Sequence, residues 1–226
     1  MLEDRIIFVD AEALVLDKPA GLAVHPGPST PRSLEDHLDA LRLGFARLPT
    51  PVHRLDRDTS GCLLLARNPR AHRKLSAAFE GGGVAKTYWA VLDGDVRDDQ
   101  GVIDLPLAKT SSRESGWRMI VSDKGRVAQT GWRVLARRNG QTMVEFRPLT
   151  GRTHQIRVHA LAGLGVPIAG DPVYGKGGAR DAMLLHARRL FIEREGERRP
   201  IDVTAPLGDR FAAAGFSEAD GGAPCP

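Results

Sequence analysis

The feature that most constrains the fold of this chain is a succession of strand-like segments with no helical pattern between them. Apolar and polar residues alternate from Val84 to Leu92, and shorter segments of the same kind follow near residues 102–108, 117–121, 127–136 and 142–147. Period-two alternation is typical of strands with one buried face. Consecutive strands, unlike strands that alternate with helices, predict an α+β fold built on a mixed or antiparallel sheet.

Further strand-like segments lie earlier in the chain, and each is short and apolar. These segments are Ile6–Val9, Ala13–Leu16 and Cys62–Ala66. At 226 residues the chain fits one domain, or a compact domain with two lobes. We expect one domain over residues 1–213. A tail over residues 214–226, ending in SEADGGAPCP, has a composition typical of disorder.

Three helices are predicted, two of them from capping signals. Ser33 and Asp36 form a capping-box pattern, which predicts a helix that begins at Ser33. Asn68 and Pro69 predict the cap and first position of a second helix, which ends at the glycines at 81–83. A short third helix is expected over residues 153–162.

Composition excludes several classes of protein. The acidic N-terminus is unlike a signal peptide, and no apolar run is long enough to span a membrane, so we expect a cytoplasmic protein without a membrane partner. The two cysteines form no CxxC pair, which argues against a disulfide or thiolate zinc site. The chain has neither a GxxxxGK[ST] loop nor a GxGxxG motif after a strand, so we expect no nucleotide cofactor.

Positive charge is concentrated in one segment. Eight Lys and Arg residues lie between Lys124 and Arg157 against one acid, Glu145, whereas the whole chain carries a formal charge of +4. A block of this kind suits a polyphosphate partner such as RNA. A solvated basic face explains the same pattern, and charge alone does not separate the two interpretations.

The densest polar cluster is the segment HRLDRDTSG, from His53 to Gly61, which lies just before a buried strand. Reactive groups are often placed in such loops, because a rigid scaffold holds them. A salt-bridged turn, with Asp56 or Asp58 paired to a neighbouring arginine, explains the pattern equally well.

Two more segments carry candidate functional residues. In LTGRTHQIRVH, which spans 149–159, His154 and Arg157 share a helix face, and Arg157 so placed could hold a carboxylate by a two-pronged hydrogen bond. An amphipathic helix with a basic edge remains the alternative. Zinc binding by His53, His154 and His159 is not favoured, because the two helical histidines point to different faces. Tyr88, one of two tyrosines, lies on the alternating strand and could stack on a base or pack at a sheet edge.

Together these segments resemble the RluA-type pseudouridine synthases. The loop HRLDRDTSG resembles the signature loop of that family, and KTYWAVLDG (86–94) resembles the strand with its active-site tyrosine. The other matching blocks are KPAGLAVHPG (18–27), LTGRTHQIRVH (149–159), PIAGDPVYG (167–175) and LLHARRLFI (184–192). They follow the order of the family and cover about residues 5–207. The chain resembles the short form, because it begins too close to the first motif to hold the S4 module of many relatives.

The resemblance implies a bisected mixed, mostly antiparallel sheet with flanking helices. It implies isomerisation of uridine to pseudouridine in RNA without a cofactor or metal. Asp56 is expected to be the catalytic aspartate, Tyr88 to pack on the flipped uridine and act as a late base, and Arg157 to pair with Asp56. Arg54 is expected to enter the RNA stack. The full set of predicted substrate contacts is Arg54, His53, Thr59, Arg152, His154 and Gln155.

The expected partner is a stem-loop of transfer or ribosomal RNA, bound by a monomer. A catalytically inactive RNA-binding module is the main alternative, although it would need none of Asp56, Tyr88 and Arg157. A glycosidase that uses Asp56 and Asp58 as its two carboxylates is a second alternative. The basic block favours RNA over a neutral sugar.

Overall fold

The computed structural model describes residues 1–27, 30–112, 116–175, 183–196 and 198–222. The chain forms two compact units, each assembled from two separate segments. Unit 1 contains Met1–Lys86 and His186–Pro206, and unit 2 contains Thr87–Leu185 and the segment from Leu207 onward. In both units strands outnumber helices and pair mostly in the antiparallel sense, which confirms the α+β prediction.

Unit 1 is a small mixed sheet with one helix. Its strands are β1 (Ile6–Val9), β2 (Ala13–Lys18), β3 (Thr50–Pro51), β4 (Ser60–Ala66), β11 (Leu185–Ile192) and β12 (Ile201–Thr204). β4 is central, because it pairs antiparallel with β2 and β3 and parallel with β11. Helix α1 (Pro69–Glu80) buries Ala71 and Leu75 and contacts β4. A parallel neighbour on one side explains why β4 is apolar on both faces.

Unit 2 contains an antiparallel sheet, a hairpin and two helices. Its sheet has the order β5 (Val84–Leu92), β10 (Gln141–Pro148), β9 (Gln129–Arg138) and β6 (Gln100–Asp104). The hairpin is formed by β7 (Leu107–Ser112) and β8 (Gly116–Val121). The helices are α2 (Gln155–Leu164) and α3 (Asp209–Ala213).

The alternation in β5 separates two apolar clusters of unit 2. Ala90 and Leu92 belong to a cluster with Ile156 and Ala160 of α2, whereas Trp89 and Val91 belong to a second cluster with Phe211 and Phe216. Successive side chains of a strand point to opposite faces of the sheet. The predicted strand Val84–Leu92 and its two faces are therefore confirmed.

The helix predicted from Ser33 is wrong in type. The capping box forms, because Ser33 accepts a hydrogen bond from the Glu35 amide and Asp36 accepts one from the Ser33 amide. The segment then folds as two short 3₁₀ helices, Leu34–His37 and Ala40–Arg42, and ends where Leu43 takes a left-handed conformation. So short a segment gains few α-helical hydrogen bonds, and its conformation follows the burial of Leu34 and Leu41.

The prediction of a disordered tail is also wrong for residues 214–222, and residues 223–226 lie outside the described residues. Phe216 is 1% exposed and packs in the second apolar cluster of unit 2. A 3₁₀ helix, Glu218–Gly221, follows, and Asp220 forms a salt bridge with Arg138 at 2.5 Å. The segment is polar in composition, but it contains one large apolar residue, Phe216, that anchors it to the core. The domain predicted over residues 1–213 remains a prediction.

Candidate active site

The loop His53–Gly61 lies in unit 1, between β3 and β4, and a buried lysine fixes its backbone. Lys18, at the end of β2, is fully buried and donates three hydrogen bonds from its amino group. The acceptors are the carbonyls of Pro19 and Leu22, at 2.8 Å each, and of Arg57, at 3.0 Å. All three ammonium donors are thus used. Lys18 joins the loop that carries Asp56 to the loop at residues 19–22.

The surroundings of Lys18 shift the pKa of its amino group. Burial lowers the pKa of Lys18 to about 7, although the negative charges of Asp58, Asp56 and Asp17 act in the opposite direction. The amino group therefore lies close enough to Asp56 and Asp58 to feel their charges.

His53 fixes the start of the loop. Its Nε2 accepts a hydrogen bond from the Leu64 amide at 3.0 Å, and its ring stacks on Phe79 of α1 with centroids 4.4 Å apart. Burial lowers the pKa of His53 to about 3, and the charge of Lys86 acts in the same direction. The ring is therefore neutral, as an acceptor must be. These contacts assign His53 to anchoring the loop, and its predicted contact with substrate has no support.

The end of the loop is fixed by the parallel pairing of β4 with β11. Ser60 and Gly61 lie opposite His186 and Ala187, and Ser60 Oγ lies 2.9 Å from His186 Nδ1. Gly61 has φ 102°, and a Cβ at this position would run into the backbone carbonyl of Ala187. Glycine is required here by both the conformation and the close approach.

The two carboxylates of the loop have different environments. Asp58 pairs with the adjacent Arg57, with Nε–Oδ1 at 3.0 Å and Nη2–Oδ2 at 3.2 Å. The salt-bridged turn thus accounts for Asp58. Asp56 is half-buried, and its carbonyl accepts a hydrogen bond from the Thr59 amide. Thr59 itself is 2% exposed, too buried for the substrate contact predicted for it.

Arg54 projects from the same loop and is exposed. Among the described residues it makes no ion pair, in contrast to its neighbour Arg57. The structure thus leaves the Arg54 guanidinium accessible to a partner. Its predicted entry into the RNA stack remains a prediction.

The other predicted catalytic residues lie in unit 2. Tyr88, on β5 opposite Phe146 of β10, is half-buried against the apolar cluster that contains Phe146 and Ile156. Arg157, on α2, is 5% exposed and forms a two-pronged ion pair with the fully buried Asp171. Arg157 Nε lies 2.7 Å from Oδ2 and Nη2 lies 2.8 Å from Oδ1.

Arg157 thus holds a carboxylate in the two-pronged geometry, and this carboxylate is Asp171. Asp171 Oδ1 also accepts hydrogen bonds from the amides of Val173 and Tyr174. Burial acts to raise the pKa of Asp171, but the Arg157 hydrogen bond and charge and these two amides outweigh it, so the pKa is lowered. The pairing of Arg157 with Asp56 would join the two units and remains a prediction.

Tyr174 links several elements of unit 2. Its hydroxyl accepts a hydrogen bond from the Met119 amide of β8 at 2.9 Å and lies 3.0 Å from His154 Nδ1. The Arg157 guanidinium lies over its ring at 5.1 Å. His154 also lies against Trp117, with ring centroids 5.0 Å apart. The hairpin, the start of α2 and the Arg157–Asp171 pair therefore form one connected cluster.

Gln155 is buried, and its side-chain amide uses all of its hydrogen-bond donors and acceptors within the protein. Its Oε1 accepts hydrogen bonds from the Thr150 hydroxyl and the Arg152 amide, and its Nε2 donates to the Gln129 carbonyl and the Thr130 hydroxyl. All of its hydrogen-bonding positions are thus used in this structure, and the predicted contact with substrate stays a prediction. Arg152 is half-buried, and its Nε donates to the Val127 carbonyl.

The basic block between Lys124 and Arg157 is largely neutralised within the protein. Five of its arginines form ion pairs with Glu145, Asp99, Asp220 or Asp171: Arg133, Arg137, Arg138, Arg147 and Arg157. The partner acids lie mostly outside the block in sequence. Local charge counting therefore overestimated the free positive charge of this segment.

Within the described ranges, no group of three or more His, Cys, Asp or Glu side chains has an arrangement that could hold a metal ion. None of the helices described in these ranges is long and apolar enough to cross a membrane.

Comparison with known proteins identifies the family. Residues 12–162 match the family model for RNA pseudouridylate synthase. The chain is 54% identical over 218 residues to an RNA pseudouridine synthase of Zymomonas mobilis described as uncharacterized, covering 96% of this chain and 99% of that protein. The chain belongs to the RNA pseudouridylate synthase family.

Other relatives of this synthase agree. It is 38% identical to ribosomal large subunit pseudouridine synthase C of Yersinia pestis, covering 93% of this chain and 68% of that protein. The human RNA pseudouridylate synthase domain containing 4 has a similar structure, with a TM-score of 0.77 and 26% identity over 93% of this chain and 91% of that one. The RluA-type resemblance and the pseudouridine synthase fold are thereby confirmed.

Three residues of the synthase were missed as site residues by sequence reasoning. Lys18 and Asp171 lie in matching blocks and were not singled out, although a charged residue beside a proline at the end of an apolar segment is a usable signal. Tyr174 is the second of only two tyrosines, so the scarcity of tyrosine that drew attention to Tyr88 is a usable signal for Tyr174 as well.

Proposed function

We propose that this chain isomerises selected uridines to pseudouridine in structured ribosomal or transfer RNA, with Asp56 as the catalytic group. The observation that carries the proposal is the position of Asp56 in a loop held by the fully buried Lys18, beside an aspartate already paired with Arg57. A carboxylate in a fixed loop is suited to chemistry at a sugar carbon.

The reaction breaks the bond between C1′ and N1, turns the base, and forms a bond between C1′ and C5. The proton on C5 is lost and N1 gains one, so neither electrons nor groups are exchanged with a second reactant. Asp56 either adds to C1′ or removes the C2′ proton to give a glycal. Both routes place a carboxylate beside positive charge that develops on the sugar, as in glycoside hydrolysis.

Tyr88 and Arg157 supply the other roles of the proposal. The ring of Tyr88 packs on the flipped base, and its hydroxyl, once deprotonated, removes the C5 proton late in the reaction. Arg157 supplies a positive charge to the Asp56 carboxylate. Its pair with Asp171 supports this role, because an arginine held at both nitrogens keeps its orientation before RNA binds.

Arg54 assists access to the uridine. A stacked base cannot be reached, so it is flipped out at a cost of a few kcal/mol, about the energy of unstacking and unpairing. Arg54 fills the space that the base leaves and contacts the flanking phosphates. Its exposure and its lack of an ion pair within the described residues suit this role.

Ribosomal RNA is the first substrate to test, because relatives from Vibrio vulnificus and Yersinia pestis are named as ribosomal large subunit pseudouridine synthases. Transfer RNA is the second. A catalytically inactive RNA-binding module is not favoured, because the family consists of enzymes and Asp56, Tyr88 and Arg157 are all present.

The test measures tritium release from unmodified ribosomal and transfer RNA transcripts labelled at uridine C5. We expect wild type to release tritium without any added cofactor. Asp56→Asn should release it about a thousandfold more slowly or not at all, as expected for loss of a central catalytic group. Asp58→Asn, the same change two residues away, should stay within about tenfold of wild type, since Asp58 is already paired.

Normal release by Asp56→Asn would overturn the role of Asp56. Tight binding of both RNAs by wild type without any release would favour the inactive module instead.

A further inference from the structure

A second concentration of positive charge lies in unit 1. Residues 40–79 contain eight Lys and Arg side chains against two acids, Asp56 and Asp58, both of which belong to the catalytic loop. The cations are Arg42, Arg47, Arg54, Arg57, Arg67, Arg70, Arg73 and Lys74. Outside the catalytic loop, this stretch of chain carries no carboxylate.

Three basic side chains of this stretch line a cavity of about 410 Å³. The segment before β3 contributes Arg47, the start of β3 contributes Thr50, and the first turns of α1 contribute His72 and Arg73. Leu48, Asn68 and Pro69 complete the lining. The walls therefore combine two guanidinium groups, an imidazole and a hydroxyl with no acid among them.

The cavity arginines differ from those of the block in unit 2. Arg47 and Arg73 are exposed, and in the ranges that the structure describes neither has an ion pair or a side-chain hydrogen bond. In contrast, five arginines between Arg133 and Arg157 are neutralised by acids. Unpaired guanidinium groups around a cavity are the usual composition of a phosphate-binding surface.

The position of these cations on α1 is unfavourable for the helix itself. Arg70, Arg73 and Lys74 lie in its first half, and the helix has no acid in its first turn. A cation near the positive end of a helix dipole destabilises the helix, and the effect is largest in the first turn, where Arg70 lies. An anion bound in the cavity would remove this repulsion.

The cavity lies within reach of an RNA that is bound at Asp56. Thr50 lines the cavity and precedes Asp56 by six residues, so even a fully extended chain would separate their Cα atoms by at most about 22 Å. One strand of a nucleic acid helix carries a phosphate about every 3.4 Å along its axis. A phosphate within about six nucleotides of the target uridine can therefore reach the cavity.

We propose that the cavity lined by Arg47, Thr50, His72 and Arg73 binds a backbone phosphate of the substrate RNA, outside the catalytic loop. The inference rests on the proposed function, because it takes RNA as the substrate. Arg47 and Arg73 form charge-assisted hydrogen bonds to the phosphate oxygens. Because this contact is remote from the reacting uridine, it strengthens binding of RNA and leaves the chemical step unchanged.

The test compares an Arg47→Gln/Arg73→Gln double variant with wild type, using a large-subunit ribosomal RNA transcript and unmodified transfer RNA transcripts as probes. Dissociation constants are measured from 50 to 300 mM KCl in an Asp56→Asn background, so that no turnover occurs. We expect binding to weaken about tenfold or more at low salt. The slope of log K against log salt should fall by about 0.7–0.9, as expected when one phosphate is no longer neutralised.

Two control variants make the result specific. Arg97→Gln/Arg210→Gln removes two charges from exposed arginines of unit 2 that lie outside this cavity, and it should keep the wild-type slope. Arg47→Lys/Arg73→Lys restores the charge and should restore most of the slope. Thermal melting of each variant checks that the fold is intact.

Phosphate ethylation interference identifies the ligand. With wild type, ethylation of a phosphate within about six nucleotides of the modified uridine should weaken binding, and with the double glutamine variant the same ethylation should have no effect. An unchanged salt slope in the double variant, or an equal loss in both glutamine pairs, would overturn the phosphate site. Neither result depends on tritium release, so failure of the proposed function would be seen separately.

Discussion

At the scale of single residues, burial distinguishes two arginine–aspartate pairs, one in the loop His53–Gly61 and one at α2. Arg57 and Asp58 lie at the surface, with side chains 51% and 28% exposed, whereas Arg157 and Asp171 are 5% and 0% exposed. Surface pairs contribute little because water screens them. A buried pair that loses one partner leaves an uncompensated charge in the interior, which is strongly unfavourable.

We therefore expect Asp171→Asn to lower the free energy of unfolding by about 3–5 kcal/mol. The matched change Asp58→Asn should cost less than about 1 kcal/mol. Urea denaturation at pH 7 measures both. Because the pKa of Asp171 is lowered in the fold, its contribution is present above the ordinary aspartate range and is lost as pH falls through the folded pKa. Equal losses for the two variants would contradict the role assigned to burial.

At the scale of elements, local signals predicted more than long-range ones. Strand β5 agrees with its prediction at both ends, since alternation marks its faces and glycines precede it. The Asn68 cap and Pro69 correctly placed the start of α1. The parallel pairing of β11 with β4 could not be predicted, because it joins segments more than 100 residues apart through the approach of Gly61 to Ala187.

For the candidate site, too, local signals predicted more than long-range ones. Asp56 and Tyr88 were assigned from a family motif, and Arg157 from its helix face as well. The acid that Arg157 binds lies beyond the end of α2, and helix periodicity carries no information about that segment. Gln155 was assigned to substrate from the resemblance, and its four hydrogen-bond partners lie in turns and strands that the motif does not identify.

The element that holds the start of the catalytic loop should respond to acid. His53 has a pKa of about 3 in the fold, below its ordinary value of about 6.5, so between these values the unfolded chain binds the proton more readily. Stability should therefore fall as pH decreases from about 6.5 to 3, by at most about 1.4 kcal/mol per pH unit from this one group.

His53→Gln removes this titration, so its stability should fall less steeply over the same range. His37→Gln, which replaces an exposed histidine without a side-chain ion pair in the described residues, serves as the control and should keep the wild-type slope. Urea denaturation at half-unit steps of pH gives the three curves. Parallel curves for wild type and His53→Gln would show that His53 is not held neutral.

At the scale of the whole molecule, each compact unit is completed by a segment from the last part of the chain. Unit 1 includes β11 and β12, and unit 2 includes the segment from Leu207, which contains α3 and Phe216. Phe216 packs with Trp89, Met143 and other residues of the sheet of unit 2. The C-terminal segment is thus part of the core.

Phe216→Ala should lower the free energy of unfolding by about 3–5 kcal/mol, as is usual when a buried aromatic side chain is removed. Phe45→Ala, at a phenylalanine that is 40% exposed and lies under the Arg67 guanidinium, should cost only about 1 kcal/mol. Denaturation followed by tryptophan fluorescence measures both. A loss below about 1 kcal/mol for Phe216→Ala would mean that the C-terminal segment is dispensable for unit 2.

The three carbonyls held by Lys18 determine when the catalytic loop becomes ordered. All three hydrogen bonds are made within unit 1, so the backbone around Arg57 takes its shape as the chain folds. Fixing the backbone of a residue costs about 1–2 kcal/mol of conformational entropy. That cost is met as the protein folds, so it does not reduce the free energy of binding when a substrate arrives.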